Sequence, residues 1–133
     1  MAITDLPVLA MLRTRMQWNQ VRQNLIAENV ANADMPNFRP RDLAEPRFDK
    51  ATGAPVATST ALAVTAPGHI ATAGAATGGD PRRVKDFEVR PSGNGVNLED
   101  EMMKAGDIQT DYQMASQLYQ HSLTTLKIAI GKS

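Results

Sequence analysis

The sequence predicts a mainly α-helical chain, with long N- and C-terminal helices paired as a coiled-coil-like hairpin around a short, irregular Ala/Gly/Thr/Pro-rich middle. Two observations carry the helices, and a third carries the middle. Residues 97–130 and residues 9–33 each repeat a three-and-four spacing of apolar and small side chains, the period that keeps one seam facing a partner helix. Between Ala51 and Asp80, 24 of 30 residues are Ala, Thr, Gly, Pro or Ser, too little large apolar surface to fold alone. The 133 residues therefore divide, within one structural unit, into a helix and Asn/Pro turn (1–43), a flexible or extended middle (44–92) and a long helix (93–133).

In the C-terminal helix the seam is Met102, Ala105, Gln109, Tyr112, Ser116, Tyr119, Leu123, Leu126 and Ile130. Asn97 is the expected N-cap and Gly131 the stop. Glu99, Asp100 and Glu101 crowd the first turns, while Lys127 and Lys132 sit at the far end, which suits the helix dipole. Such a helix is roughly 50 Å long at 1.5 Å per residue. Gly106 inside it costs about 1 kcal/mol relative to Ala, so packing must hold the helix together.

The N-terminal helix begins at a Thr4 or Asp5 cap, with Pro7 tolerated in the first turn. Its seam is Leu9, Leu12, Met16, Asn19, Gln23, Ile26, Val30 and Ala33. A second stripe of Met11, Trp18, Val21 and Leu25 lies off that seam, and one partner helix cannot cover both. The stripe packs against the chain's own middle, or it meets another subunit; on the second alternative it is the candidate subunit interface. Pro36 ends the helix near Asn32 by disfavouring helical geometry at Met35. Residues 61–65 and 85–90 are strand candidates, and Pro91, Gly93, Asn94 and Gly95 make the loop into the long helix.

Composition narrows the functional classes. Formal charge is zero, which gives no electrostatic footprint for nucleic acid. No cysteine is present, so disulfides and thiolate metal sites are excluded. Asp5, Pro7, Arg13 and Arg15 interrupt any signal-peptide pattern, and no run reaches membrane-spanning length. His69 and His121 stand far apart without paired acids, so they read as a loop residue and a solvated helix residue. The Glu99–Glu101 cluster is simpler as dipole matching than as a cation site. Gly78-Gly79 lacks the lysine of a phosphate loop. Arg82, Arg83 and Lys85 form a small basic run that reads as a solvated patch. No catalytic constellation emerges.

Two motifs carry a resemblance. Asn29-Val30-Ala31-Asn32-Ala33-Asp34-Met35-Pro36-Asn37-Phe38 resembles the Asn-x-Ala-Asn-x-x-Thr-Pro-Gly-Tyr signature of bacterial flagellar rod, hook and hook-associated proteins. The signature positions held here are Asn29, Ala31, Asn32 and Pro36; Met35, Asn37 and Phe38 depart from Thr, Gly and Tyr. Asn is the best non-glycine residue at positive φ, so Asn37 can still make the turn. Gly93-Asn94-Gly95-Val96-Asn97-Leu98-Glu99-Asp100-Glu101-Met102 is similar to the segment that leads into the terminal helix of the proximal-rod members. The resemblance spans residues 5–48 and 87–131.

The resemblance implies a structural protein of the basal-body rod in the periplasmic space. Such proteins leave the cytoplasm through the flagellar type III export apparatus without a cleaved signal peptide. They assemble helically with copies of themselves, with other rod proteins, and with the membrane-ring protein and its rod adaptor, and they transmit torque. It implies no enzyme activity, no cofactor, no metal, no nucleic acid and no small-molecule substrate. A different class remains beside it: a soluble helical-hairpin adaptor or export chaperone that grips one partner helix.

Overall fold

The structure, a computed structural model, describes residues 6–49, 53, 56, 81–83 and 89–131. Four elements follow in order: helix α1 (Pro7–Ala31), strand β1 (Arg41–Leu43), strand β2 (Pro81–Arg83) and helix α2 (Leu98–Ala129). The long helices pack against each other, and β1 lies against α1.

Helix α1 starts at an extended Leu6 with no side-chain cap, and Pro7 occupies the first turn, where a missing N–H is harmless. Thr4 and Asp5, the expected caps, lie outside the described residues. Helix α2 starts where its sequence says it should. The Asn97 side chain accepts from the Glu99 N–H at 3.0 Å, and three acids fill the first turn. It stops at Gly131, which takes φ 77 while its N–H reaches the Ile128 carbonyl at 3.0 Å. The 32 residues of α2 span about 48 Å against about 37 Å for the 25 of α1.

The helices run antiparallel. Asn29, near the end of α1, meets Glu101 near the start of α2, and Asn19 meets Asp111 further along. The interior is small and apolar. Trp18 and Leu25 of α1 close on Leu43 of β1, and Leu9, Ile26, Ile108 and Ala115 are buried on the two helices.

The two strands pair antiparallel, with Arg41 opposite Arg83 and Leu43 opposite Pro81. Proline at the first residue of β2 fits the rule for proline in strands. Neither strand coincides with a sequence candidate. Residues 61–65 and 85–88 lie outside the described residues, and Val89 and Arg90 are not strand.

The contact line on α2 differs from the expected seam. Its buried residues are Glu101, Ile108 and Ala115, a seven-residue repeat displaced from the apolar stripe. Met102 and Ile130 are 73% and 53% exposed, while Tyr112, Tyr119, Leu123 and Leu126 are half-buried. The reason is chemical: the buried position is held by a carboxylate with hydrogen-bond partners, which an apolar period cannot reveal. On α1, Leu9 and Ile26 of the expected seam are buried and Leu12 and Met16 half-buried.

Candidate functional site

The Asn/Pro turn and the loop before α2 interlock at one end of the hairpin. Asn32 caps α1, its backbone N–H and its side-chain Nδ2 both donating to the Glu28 carbonyl at 3.1 and 2.8 Å. The chain then tightens through Ala33 and Met35, whose N–H groups reach Val30 and Asn32 at 3.2 and 3.1 Å. Ala31 and Pro36 face solvent. Asn37 sits at φ 58, the left-handed region that asparagine tolerates better than other side chains. Its N–H reaches the Ser92 carbonyl at 3.1 Å, and the Gly95 N–H reaches the carbonyl of half-buried Phe38 at 3.0 Å.

Asn94 is the bolt of this clasp. It is 1% exposed, and its Nδ2 donates to the carbonyls of Asn32 and Met35 at 3.0 and 2.7 Å. Its Oδ1 accepts from the Val96 N–H at 2.8 Å, so both ends of the buried amide are satisfied. Gly93 beside it takes φ 80, and a Cβ there would run into the Asn37 side chain. The two sequence motifs are therefore one structure, joined mostly through backbone groups.

A second clamp lies one turn deeper. Asn29 offers its amide to β1 as a strand would, Nδ2 donating to the Arg41 carbonyl at 2.8 Å and Oδ1 accepting from the Arg41 N–H at 3.1 Å. The same Nδ2 donates to Glu101 Oε2 at 3.1 Å, and Glu101 also accepts from Lys104 Nζ at 2.8 Å. One side chain thus ties α1, β1 and α2 together.

Further along, the helices are joined by charge. Arg15 donates to Asp111 and to Glu45, each at 2.7 Å, and Asn19 donates to Asp111 at 2.9 Å. Arg22 grips Asp42 with two hydrogen bonds of 2.8 and 2.9 Å. Burial raises the pKa of Asp42 and Asp111. It is outweighed by the Arg22 and Leu43 N–H hydrogen bonds at the first, and by Arg15 and Asn19 at the second, so both carboxyls sit below the usual range. The Arg15 and Arg22 guanidiniums lie 5.1 and 5.2 Å from the centre of the Trp18 ring. Arg15, Trp18, Asn19, Arg22, Glu45 and Asp111 line a cleft of about 300 Å³ beside Leu43, Asp107 and Ile108.

Trp18 is 4% exposed, and its Nε1 donates to the Ala44 carbonyl at 2.8 Å. The chain's own β1 segment thus covers Trp18 and Leu25, two of the four residues of the candidate subunit interface. Met11 is half-buried, and Val21 is 36% exposed. The free strip on which that expectation rested is correspondingly narrow, because Leu43 and the Ala44 carbonyl supply the partners that the middle's composition had not promised.

Sequence reasoning missed the ionic pairs. A signal was present: Arg15 and Arg22 stand seven apart on α1, and Lys104, Asp107 and Asp111 repeat at three and four on α2. Antiparallel pairing brings Arg15 onto Asp111, while Arg22 pairs with Asp42 of β1 and Lys104 with Glu101 of its own helix. Among the described residues, no three His, Asp or Glu side chains come together in a way that could hold a metal ion. His121 is exposed on α2, and His69 lies outside the described residues. None of the described helices is long and apolar enough to cross a membrane.

No protein-family model matches the chain. A curated relative, the flagellar basal body rod protein FlgB of Agrobacterium fabrum, is 32% identical over 108 residues, covering 77% of this chain and 76% of the relative. The chain belongs to the family of flagellar basal body rod proteins FlgB.

Proposed function

We propose that the chain is a structural subunit of the bacterial flagellar basal-body rod. It assembles helically at the proximal end of the rod, linking the membrane ring to the drive shaft and passing torque along it. Its partners in this reading are copies of itself, other rod proteins, the membrane-ring protein with its rod adaptor, and the type III export apparatus. It reaches the periplasmic space through that apparatus without a cleaved signal peptide, and it carries no catalytic role.

The observation that carries the reading is the clasp. Asn94 on the Asn32 and Met35 carbonyls, with Asn37 on Ser92 and Gly95 on Phe38, locks the end of α1 to the start of α2. A shaft subunit must move both helices as one body under load, and backbone-level ties at the joint serve that need. The similarity to a basal body rod protein supports the same reading.

The test is genetic. Cells lacking the chain should be non-motile and should build membrane rings without a rod, and restoring the chain should restore both. Complete rods in the deletion strain would overturn the assignment. Loss of export of one client protein, with rods intact, would favour the adaptor or chaperone alternative instead.

A further inference from the structure

Asparagine carries a latent reaction with its own backbone. The nitrogen of the next residue gives up its proton and attacks the side-chain Cγ. A C–N bond closes a succinimide ring, the Cγ–Nδ2 bond breaks, and the amide leaves as ammonia with that proton. Water then opens the ring at either carbonyl. The product is aspartate, or isoaspartate, in which the main chain runs through Cβ and Cγ. No oxidant, reductant or enzyme is needed. Access to the attacking nitrogen limits the step, and the side chain of the following residue hinders it.

The chain has seven asparagines. Six precede Gln, Leu, Val, Ala or Phe, and Asn94 alone precedes glycine. Gly95 has no side chain to shield its nitrogen, and with Gly93 on the other side the backbone turns freely in the unfolded chain. The most reactive asparagine is therefore the one that bolts the clasp.

In the folded structure the same groups are tied. Asn94 and Gly95 are both buried, which holds out the water that would carry off the proton and open the ring. The Gly95 N–H, whose proton must leave, donates to the Phe38 carbonyl at 3.0 Å, and a carbonyl is no base. Nδ2, the leaving group, donates to the Asn32 and Met35 carbonyls at 3.0 and 2.7 Å, two acceptors with no proton to give it. The Asn94 carbonyl accepts from the Arg90 N–H at 3.0 Å, which fixes the main chain on that side. One contact works the other way. The Val96 N–H on Oδ1 at 2.8 Å polarises the bond under attack. It does not supply the missing base, acid or water.

The products do not fit the joint. Aspartate puts a carboxylate oxygen, an acceptor only, where Nδ2 now meets two carbonyls, and it buries a charge with no donor there. Isoaspartate lengthens the main chain between the Arg90 and Phe38 ties and puts them out of step.

We propose that Asn94-Gly95 is a site of spontaneous deamidation, open while the chain is unfolded and shut once the clasp forms, and that a chain modified beforehand cannot close the joint. The clasp thus guards its own bolt, and time spent unfolded becomes an irreversible loss of usable protein. This holds for the single chain and stands independently of the rod-subunit reading.

The purified chain is incubated at mildly alkaline pH in buffer and, in parallel, in guanidinium chloride. Isoaspartate and the amide-to-acid mass change are mapped by peptide mass spectrometry. In denaturant the modification should concentrate at Asn94, and Gly95→Ala should slow it severalfold. In buffer the wild type should react about tenfold or more slowly, since the reaction must wait for local opening. Equal rates at Asn94 in the two conditions, or a preference for another asparagine in denaturant, would overturn the proposal. Asn94→Asp reads the consequence without the reaction. Its Gly95 amide should lose protection from hydrogen exchange while the Ile108 amide within α2 keeps its own. Wild-type protection at Gly95 in that variant would show that the joint accepts the acid, and would overturn the proposal as well.

Discussion

Asn29 and Glu101 meet across the helix pair at 3.1 Å, 1% and 2% exposed, at a position where a coiled coil would ordinarily hold two apolar side chains. Buried polar pairs of this kind fix register, because sliding either helix leaves both groups unpaired. Glu101→Ala should lower unfolding free energy by about 1–3 kcal/mol, since the Asn29 amide and the Lys104 ammonium lose their acceptor. Glu101→Leu should lose less stability than Glu101→Ala while loosening the register. Chemical denaturation measures the first effect, and distances between spin labels on the two helices measure the second.

The turn makes a separate prediction through a mutant cycle. Gly93→Ala combines a side chain at φ 80 with a collision against Asn37, so it should cost about 2 kcal/mol or more. Asn37→Gly removes the colliding group and relaxes φ 58, and alone it should be close to neutral. In the Asn37→Gly background, Gly93→Ala should therefore cost clearly less than in the wild type. Additive effects in thermal denaturation would show that the two residues do not touch.

Trp18 should already report a buried environment in the free subunit. With its ring against Leu25 and Leu43 and its Nε1 on the Ala44 carbonyl, its emission should be blue-shifted and shielded from iodide before assembly. Trp18→Phe should cost about 1 kcal/mol from the lost hydrogen bond, and Trp18→Ala about 3–5 kcal/mol from the cavity. A solvent-exposed spectrum in the folded monomer would contradict the packing of β1 on α1.

Acid should weaken the hairpin at a defined point. Asp42 and Asp111 have folded-state pKa values below those of the unfolded chain, so the folded state binds fewer protons than the unfolded one in that range. Their contribution is fully present above about pH 4, near the ordinary carboxylate value, and is lost as pH falls through the lower folded values. Denaturation midpoints followed from pH 7 to pH 2 should hold steady and then drop below about pH 4. Asp111→Asn should be less stable at pH 7 and show a shallower drop.

The sequence shows the ends of the elements better than their faces. Asn97, the three acids after it and Gly131 mark α2 within a residue, because capping is local chemistry. The faces depend on which residues meet across space. Apolar period places Met102 in the seam, whereas Glu101 is the residue buried there, and only its pairing with Asn29 and Lys104 explains why. β1 is illegible for the same reason. Arg41, Asp42 and Leu43 carry no strand pattern, and the segment is held by the Asn29 amide and by Arg22 on Asp42. The clasp could be guessed as two turns, but nothing in either motif alone says that Asn94 reaches the Asn32 and Met35 carbonyls.

The central claim is that this chain is a built-in part of the rod. Quantitative mass spectrometry of purified basal bodies, washed in high salt and detergent to strip the export apparatus and loosely held adaptors, tests it most directly. The account predicts that the chain is retained in several copies per basal body, in fixed ratio to the other rod proteins. It also predicts that Asn94→Ala, which unbolts the clasp, lowers that retention. Quantitative release of the wild-type chain into the wash, or its recovery in the cytosol bound to a single client, would contradict it.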